Sequence, residues 1–236
     1  MYDGTNFFGW QSQKDQRTIQ GDIESVFMDI LKTENINVMG SGRTDTGVHA
    51  TGQVASVHCE TKMSPIQIKR ALNRNLSADI FIKKCMTVDE QFHARFSAKK
   101  REYIYYITND YSPINRQYSW YCKWDFDKEK LHECANILIG ENDFTFFSKA
   151  SSETKNKICS IYKSNWNFDS QLSTYTIIGN RFLQHMVRLL VGTMIEVGRN
   201  RLSLNDFKNS LKCRNAHPNV VRAPALGLFL SKIYYD

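Results

Sequence analysis

The residues of this chain whose types best suit chemistry lie together in one polar loop, residues 40–50. An arginine, a carboxylate and a histidine stand there among three glycines, as Arg43, Asp45 and His49. Strand-like apolar sequence flanks the loop on both sides. Because a loop between two buried strands is where a rigid scaffold usually presents catalytic groups, the sequence indicates a candidate site centred on Asp45.

The spacing within this loop excludes three kinds of site. No Gly-Lys-Ser/Thr follows the glycines, so no lysine would reach a phosphate as in a nucleotide-binding loop. A dinucleotide-binding loop needs a third glycine and a following helix, and both are missing. Ser41 lacks the Gly-x-Ser-x-Gly frame of a nucleophile elbow. The alternative is a plain hairpin or bulge in which Asp45 bonds its own backbone and Arg43 is solvated, and composition alone favours it.

Composition and charge set broad limits on the class of protein. The chain has 236 residues, 42% of them hydrophobic, which suffices for one large or two small domains with buried cores. Its net charge of +7 favours a polyanionic partner, although many basic proteins bind none. Six cysteines without a Cys-x-x-Cys, and no segment typical of a signal peptide or membrane span, predict a cytoplasmic protein with reduced thiols. Cys213 and His217 lack the second pair that a metal site needs.

Hydrophobic periodicity predicts both helices and strands in each half of the chain. Helices are expected over 18–32, 127–138 and 203–212, with another that begins at Pro65 behind a capping box of Ser64 and Gln67. Strands are expected over 53–59, 80–86, 158–166 and 174–178. Strands with two helices in each half indicate a pseudo-duplicated α+β plan.

A second informative stretch, 91–108, combines basic and aromatic side chains. Four basic residues, Arg95, Lys99, Lys100 and Arg101, precede a strand. In that strand Tyr103 and Tyr105 share one face. Lysines and arginines beside exposed rings suit a nucleic-acid groove, where they meet phosphates while a ring stacks on a base. An amphipathic strand with tyrosines at its edge fits the same residues.

A third stretch, 180–197, has the apolar spacing of a buried helix, with Gly198 as the expected C-terminal cap. Arg188 is unusual there, because Val187 and Leu189 flank it. An unpaired buried charge is costly, so the guanidinium must reach water or find a partner. His185 fits a structural histidine better than a general base.

Taken together, these motifs resemble those of the TruA-type tRNA pseudouridine synthases. Loop 40–50 matches the family's Gly-x-Gly-Arg-Thr-Asp-x-Gly-Val-His-Ala around its catalytic aspartate. Four further stretches match in order: 2–11 (Tyr-Asp-Gly-Thr-x-Phe-x-Gly-Trp-Gln), 94–105 (Ala-Arg-Phe-Ser-Ala and Arg-x-Tyr-x-Tyr), 182–188 (Phe-Leu-x-His-Met-Val-Arg) and 223–230 (Ala-Pro-Ala-x-Gly-Leu-x-Leu). The sequence departs from the family pattern at two places. Only Met1 precedes the first motif, and Glu102 occupies a position where many family members carry a basic residue.

The resemblance implies an α+β fold of the pseudouridine synthase type. Its two α+β halves, 1–108 and 109–236, would join their antiparallel sheets around a central basic cleft. Family members are homodimers that bind one tRNA across both subunits, and bacterial members modify positions 38–40 of the anticodon stem-loop. The reaction needs no metal and no cofactor.

The resemblance also assigns roles to individual residues. Asp45 would be the catalytic carboxylate, as nucleophile or charge stabiliser, and Arg188 would pair with it. Tyr103 would stack on the uracil and assist proton transfer. The remaining substrate contacts would be Leu228 on the apolar side of the uracil pocket, Arg43 in base flipping or phosphate binding, and Arg95, Lys99 and Arg101 on the RNA.

Two other classes of function stay open at this point. An RNA-binding protein of the same fold without turnover would retain these motifs in part, although intact Asp45, Tyr103 and Arg188 argue against it. A nucleoside hydrolase also needs a carboxylate near a ribose. That class generally uses paired carboxylates or a metal, and only one carboxylate stands in the central loop.

Overall fold

Capping and periodicity explain most helix boundaries in the computed structural model, which describes residues 1–149, 151, 154–211 and 220–236. The helices of these residues are α1 (Ile19–Leu31), α2 (Pro65–Asn75), α3 (Lys128–Ile137), α4 (Met186–Gly198) and α5 (Leu204–Asn209). The side chain of Thr18 accepts from the Gly21 N–H and starts α1. The Gln67 side chain accepts from the Ser64 N–H at 2.8 Å, which confirms the capping box of α2.

The strands are shorter at the start of the chain than in its middle. Those of the described residues are β1 (Met39–Gly40), β2 (His49–Ala50), β3 (Ala55–Ser56), β4 (Lys100–Thr108), β5 (Trp120–Tyr121), β6 (Gly140–Asp143), β7 (Ile158–Asn167), β8 (Ser173–Gly179) and β9 (Leu228–Tyr234). The expected strand over 53–59 is therefore reduced to β3. The expected strand over 80–86 is reduced to one bridge, between Ile80 and Tyr2. Mixed helices and mainly antiparallel strands confirm the α+β class.

The chain divides into two compact units. The first comprises Met1–Lys99 with Leu230–Asp236, and the second comprises Lys100–Phe229. The carboxyl-terminal residues thus belong to the unit that the start of the chain forms. The two units divide at the start of β4, whereas the sequence predicts a division at the end of β4, between 108 and 109. The predicted division stays a prediction. The joining of two sheets around a basic cleft also stays a prediction.

In the second unit, a mainly antiparallel sheet carries the core. Its strand order is β4-β8-β7-β6, and β5 pairs in parallel with β4. Opposite pairs such as Tyr105 with Tyr175 set the β4–β8 register. Helix α3 contacts β7, α4 and α5. Large side chains including Trp166, Phe144 and Phe207 are fully buried in this unit.

Helix α4 corrects two expectations about the stretch 180–197. It begins only at Met186, because His185 directly before it has φ of 67° and interrupts the helical path. Gly198 is the last helical residue and Arg199 is the cap. A Cβ on Gly198 would lie 2.3 Å from Leu131 Cδ1 of α3, so glycine lets the two helices pack closely there.

In the first unit, the amino-terminal segment packs against the central loop. Tyr2 and Ala50 exchange backbone hydrogen bonds of 2.7 and 3.0 Å. The N–H groups of Thr51 and Gly52 donate to the Leu230 carbonyl in β9 at 3.0 and 3.1 Å. None of the helices in the described residues combines the length and hydropathy needed to cross a lipid bilayer.

Gly4 is the tightest contact between the amino-terminal segment and the loop, and Gly4→Ala is expected to destabilise the first unit by roughly 2–3 kcal/mol. An added Cβ would lie 2.0 Å from the Val48 carbonyl oxygen, and backbone cannot yield as a flexible side chain does. Urea unfolding would measure the loss. Ser25→Ala on the exposed face of α1 serves as the control, with a change within about 0.5 kcal/mol. Equal stability of both variants would contradict the expectation.

Candidate active site

Arg43 and Asp45 lie on the loop between β1 and β2, on either side of a buried anchor. The Thr44 side chain between them is buried, whereas Arg43 is exposed and Asp45 half-buried. The loop closes in a tight turn, where the Val48 N–H donates to the Asp45 carbonyl at 3.1 Å and Gly47 has φ of 74°. The loop is therefore a turn with a buried support, and not a hairpin, because β1 pairs with β3 while β2 lies in a different sheet.

The amino-terminal motif supplies part of that support. The Trp10 N–H donates to the Thr44 carbonyl at 3.1 Å. A Cβ on Gly40 would lie 2.4 Å from the Trp10 ring, and a Cβ on Gly9 would lie 2.5 Å from the Thr44 carbonyl oxygen. Glycines at these two positions let the segment approach the loop closely. The sequence indicated both motifs, but it did not predict that the amino-terminal motif packs against the loop and supports it.

His49 joins the same two segments. Its side chain is 1% exposed, and its Nδ1 accepts from the Gly4 N–H at 3.1 Å. The Asp3 carboxylate oxygen lies 3.1 Å from the same nitrogen. These contacts give His49 a structural role at the end of the loop, at β2.

Two of the proposed RNA-contacting residues, Arg95 and Lys99, lie in the first unit, and both are exposed. The Arg95 guanidinium lies over the ring of Phe96 at 5.5 Å, and Phe96 itself is 75% exposed. The backbone N–H of Lys99 donates to the Tyr234 carbonyl at 2.8 Å, which fixes the position of its backbone. An exposed arginine over an exposed ring is compatible with contacts to RNA.

Tyr103 and Arg101 lie on β4 in the second unit. The Tyr103 side chain is 7% exposed, and its ring meets Phe182 edge to face with centroids 5.1 Å apart. That contact holds the ring in one orientation. The Arg101 guanidinium donates to the Asn180 carbonyl at 2.7 Å, so part of its hydrogen-bonding capacity is used within the protein.

Arg188 lies in the first turn of α4, where it forms hydrogen bonds with the segment that leads to β9. Its Nε donates to the Ala223 carbonyl at 2.9 Å, and the Ala223 N–H donates back to the Arg188 carbonyl at 3.0 Å. The arginine that looked out of place in the sequence thus has a backbone partner, which no sequence signal indicated.

Tyr105 secures the same segment from β4. Its hydroxyl donates to the Pro224 carbonyl at 2.7 Å, and its side chain is fully buried. Burial raises the pKa of Tyr105 well above its ordinary value, and the nearby Arg188 offsets only part of that effect. Tyr105 therefore stays protonated and keeps this hydrogen bond.

Leu228 follows a 3₁₀ turn, Ala225–Gly227, and begins β9. It is 5% exposed. A Cβ on Gly227 would lie 2.7 Å from the Tyr106 carbonyl and 2.8 Å from the Tyr105 ring, so the turn rests directly on β4. Within the second unit, these contacts bring together the elements that carry Tyr103, Arg188 and Leu228.

A surface pocket of about 220 Å³ in the second unit is lined by side chains such as Tyr111, Arg116 and Tyr121, and by none of the candidate site residues. Across the described ranges, no three His, Cys, Asp or Glu side chains are grouped as a metal site would need. Cys213 and His217 lie outside the described residues.

Comparison with known proteins identifies the family. The family model described as "tRNA pseudouridine synthase" matches residues 1–97 and 134–236. The tRNA pseudouridine synthase A of Geobacillus sp. (strain WCH70) is 39% identical over 237 residues, which cover 100% of this chain and 96% of the relative. Those of Bacillus licheniformis and Thermosipho melanesiensis are 38% and 40% identical, covering 100% and 99% of this chain and 96% of each relative. The chain therefore belongs to the TruA-type tRNA pseudouridine synthases, a family of isomerases.

Proposed function

We propose that this enzyme isomerises uridine to pseudouridine in the anticodon stem-loop of tRNA, at positions 38–40, with Asp45 as its catalytic carboxylate. The observation that supports this most is the placement of Asp45 itself. It is the carboxylate of a glycine-rich turn whose central Thr44 is buried, so its position is fixed while its side chain stays half-buried. The family's motif aligns its catalytic aspartate with this residue.

The reaction sets clear requirements for such a site. The bond between N1 of uracil and C1′ of ribose breaks, the base turns, C5 bonds to C1′, and the proton on C5 is lost. Atoms and electrons balance without redox change or net hydrolysis. A carboxylate can act at the sugar or the base, as nucleophile or as a stabiliser of positive charge. The target base must first leave its stack, which costs a few kcal/mol.

The remaining residues take supporting roles in this proposal. Arg43 is the exposed cation next to the loop's anchor, and it assists flipping or holds a phosphate. In the second unit, Tyr103 stacks on the uracil and relays the C5 proton, and Leu228 forms the apolar side of the pocket. Arg95, Lys99 and Arg101 contact the RNA backbone. We further propose a cytoplasmic homodimer that binds one tRNA across both subunits.

Arg188 is proposed as the charge partner of Asp45, as the family resemblance implies. Arg188→Met keeps much of the side chain's apolar stem but removes its charge and its bond to Ala223. Losing one member of such a pair costs about 2–5 kcal/mol, so kcat should fall at least about 30-fold. Steady-state kinetics on the stem-loop RNA would measure this loss of kcat.

The control for this variant is Arg201→Met, which removes an arginine just beyond the other end of α4. Its side chain is 62% exposed, and its guanidinium lies 3.9 Å from the Glu196 carboxylate, a contact of little energetic value. The control should keep kcat within about twofold, as expected for an exposed pair. Unchanged kcat in a folded Arg188→Met protein would contradict the role of Arg188.

The function itself is tested with an anticodon stem-loop RNA that carries tritium at C5 of its uridines. Pseudouridine formation releases the label as water and leaves an isomer of uridine in the digested product. Release of free uracil would indicate a hydrolase instead. Binding without release would favour an RNA-binding protein without turnover. Release only from other tRNA regions would retain the chemistry and overturn the assignment to positions 38–40.

A further inference from the structure

We infer that two residues outside the loop, Gln53 and Tyr2, are positioning residues of the active site. They hold the loop on either side of Arg43 and thereby fix where Asp45 projects. The inference rests on the proposed function, because it assigns both residues to the reaction of Asp45. Both residues lie with the loop in the first unit.

Gln53 binds the peptide groups of the loop through both ends of its side-chain amide. Its Nε2 donates to the Gly42 carbonyl at 2.7 Å. Its Oε1 accepts from the Ser41 hydroxyl at 2.8 Å and from the Gly42 N–H at 3.4 Å. An amide offers a donor and an acceptor in one plane. These bonds therefore fix the orientation of the backbone immediately before Arg43, and not only its distance from Gln53.

Tyr2 anchors the residue between Arg43 and Asp45. Its hydroxyl and the Thr44 Oγ1 are 2.8 Å apart, and both side chains are buried. Burial raises the pKa of Tyr2 well above its ordinary value, so the phenol stays neutral and remains a hydrogen-bond donor. The Tyr2 backbone is itself fixed by its two bonds to Ala50.

The two anchors form one network. The Gln53 Nε2 also donates to the Tyr2 hydroxyl, at 3.4 Å. The strands around the loop are only two residues long, so the ladder of backbone hydrogen bonds holds it weakly. Buried side-chain bonds must supply the remaining rigidity. A displacement of about 1 Å at a reacting group can cost about 10²-fold in rate, so this network has consequences for Asp45.

The test compares Gln53→Met and Tyr2→Phe with the wild-type enzyme on the tritiated stem-loop RNA. Gln53→Met keeps the length of the side chain but cannot bond the Gly42 peptide. We expect its kcat to fall about 30-fold while KM changes much less, since the loop that carries Arg43 and Asp45 is displaced while the proposed RNA contacts outside it, Arg95, Lys99 and Arg101, are unchanged. For Tyr2→Phe we expect kcat to fall about tenfold. The double variant should lose less than the product of both effects, because the residues share one network.

Gln67→Met is the matched control, because it also removes a glutamine side chain of the first unit. It deletes the capping bond to the Ser64 N–H and lowers the stability of α2. A variant that is only less stable should keep the kcat of its folded fraction. Loss of kcat in Gln67→Met equal to that in Gln53→Met would overturn the positioning role.

Amide hydrogen exchange tests the positioning without any turnover. The Gly42 amide of Gln53→Met should exchange about tenfold faster than in the wild type, while the Gln67→Met control leaves it unchanged. Unaltered exchange at Gly42, or a kcat within threefold of the wild-type value, would refute the inference. If the wild type itself released no tritium while exchange at Gly42 rose as expected, the proposed function would fail and the structural anchoring would hold.

Discussion

The Asp45→Asn enzyme is expected to release no measurable tritium from the stem-loop RNA, with kcat reduced on the order of 10⁴-fold or more. Asparagine has the size of aspartate and fits the half-buried position, so the turn and its anchors should persist. It cannot attack a sugar or base as a carboxylate does, and it carries no charge to stabilise a cationic ribose. Single-turnover kinetics would measure the chemical step directly.

RNA affinity separates this loss from misfolding. Removing a negative charge from a site that approaches phosphates should leave Kd for the stem-loop unchanged or slightly lower. Asp29→Asn on the exposed face of α1 is the matched control, and it should keep full activity. Substantial turnover by Asp45→Asn would refute the proposed role of Asp45. Loss of both turnover and binding would instead indicate that the substitution disrupts the loop.

The sequence alone was sufficient to locate this loop, because its chemistry is local. Three glycines, Arg43 and Asp45 stand within a few residues of each other, and that spacing survives any arrangement of the rest of the fold. The α+β class was also predictable, since periodicities of two and of three to four residues alternate along the chain. Both are properties that neighbouring residues determine.

The supports of the loop were not predictable, because they depend on contacts distant in sequence. Tyr2 and Thr44 are 42 positions apart, and nothing in either motif indicates that their hydroxyls meet. The only available signal was Gln53, a polar side chain at the start of a strand-like segment. The backbone carbonyl that accepts from Arg188 belongs to Ala223, and backbone partners leave no trace in residue type.

The start of α4 shows a different limit. Apolar spacing continued back to Phe182 and suggested a longer helix, yet His185 adopts a left-handed conformation that only local geometry reveals. Phe182 therefore lies ahead of the helix, where its ring meets Tyr103 instead of the helical stripe. A boundary shift of a few residues thus placed an aromatic side chain against a residue of the candidate site.

Replacing Tyr103 with phenylalanine is expected to lower kcat on the order of 10²- to 10³-fold while KM changes by less than about twofold. The ring keeps its edge-to-face contact with Phe182 and its proposed stacking on uracil, so binding should persist. Only the hydroxyl, the proposed relay for the C5 proton, is lost. Tyr103→Ala should in addition weaken binding, because stacking contributes about 1–3 kcal/mol per base.

The comparison of these two variants distinguishes proton transfer from stacking. Tyr106→Phe is the control, because successive side chains alternate faces along a strand and Tyr106 is therefore not on the face of Tyr103. The Tyr106 ring packs edge to face against Phe229, and the kcat of the Tyr106→Phe enzyme should equal that of the wild type. If Tyr103→Phe kept wild-type kcat and only Tyr103→Ala lost activity, Tyr103 would act by stacking alone, and another group would have to accept the C5 proton. A slower tritium release with Tyr103→Phe at unchanged affinity would place its hydroxyl in that step.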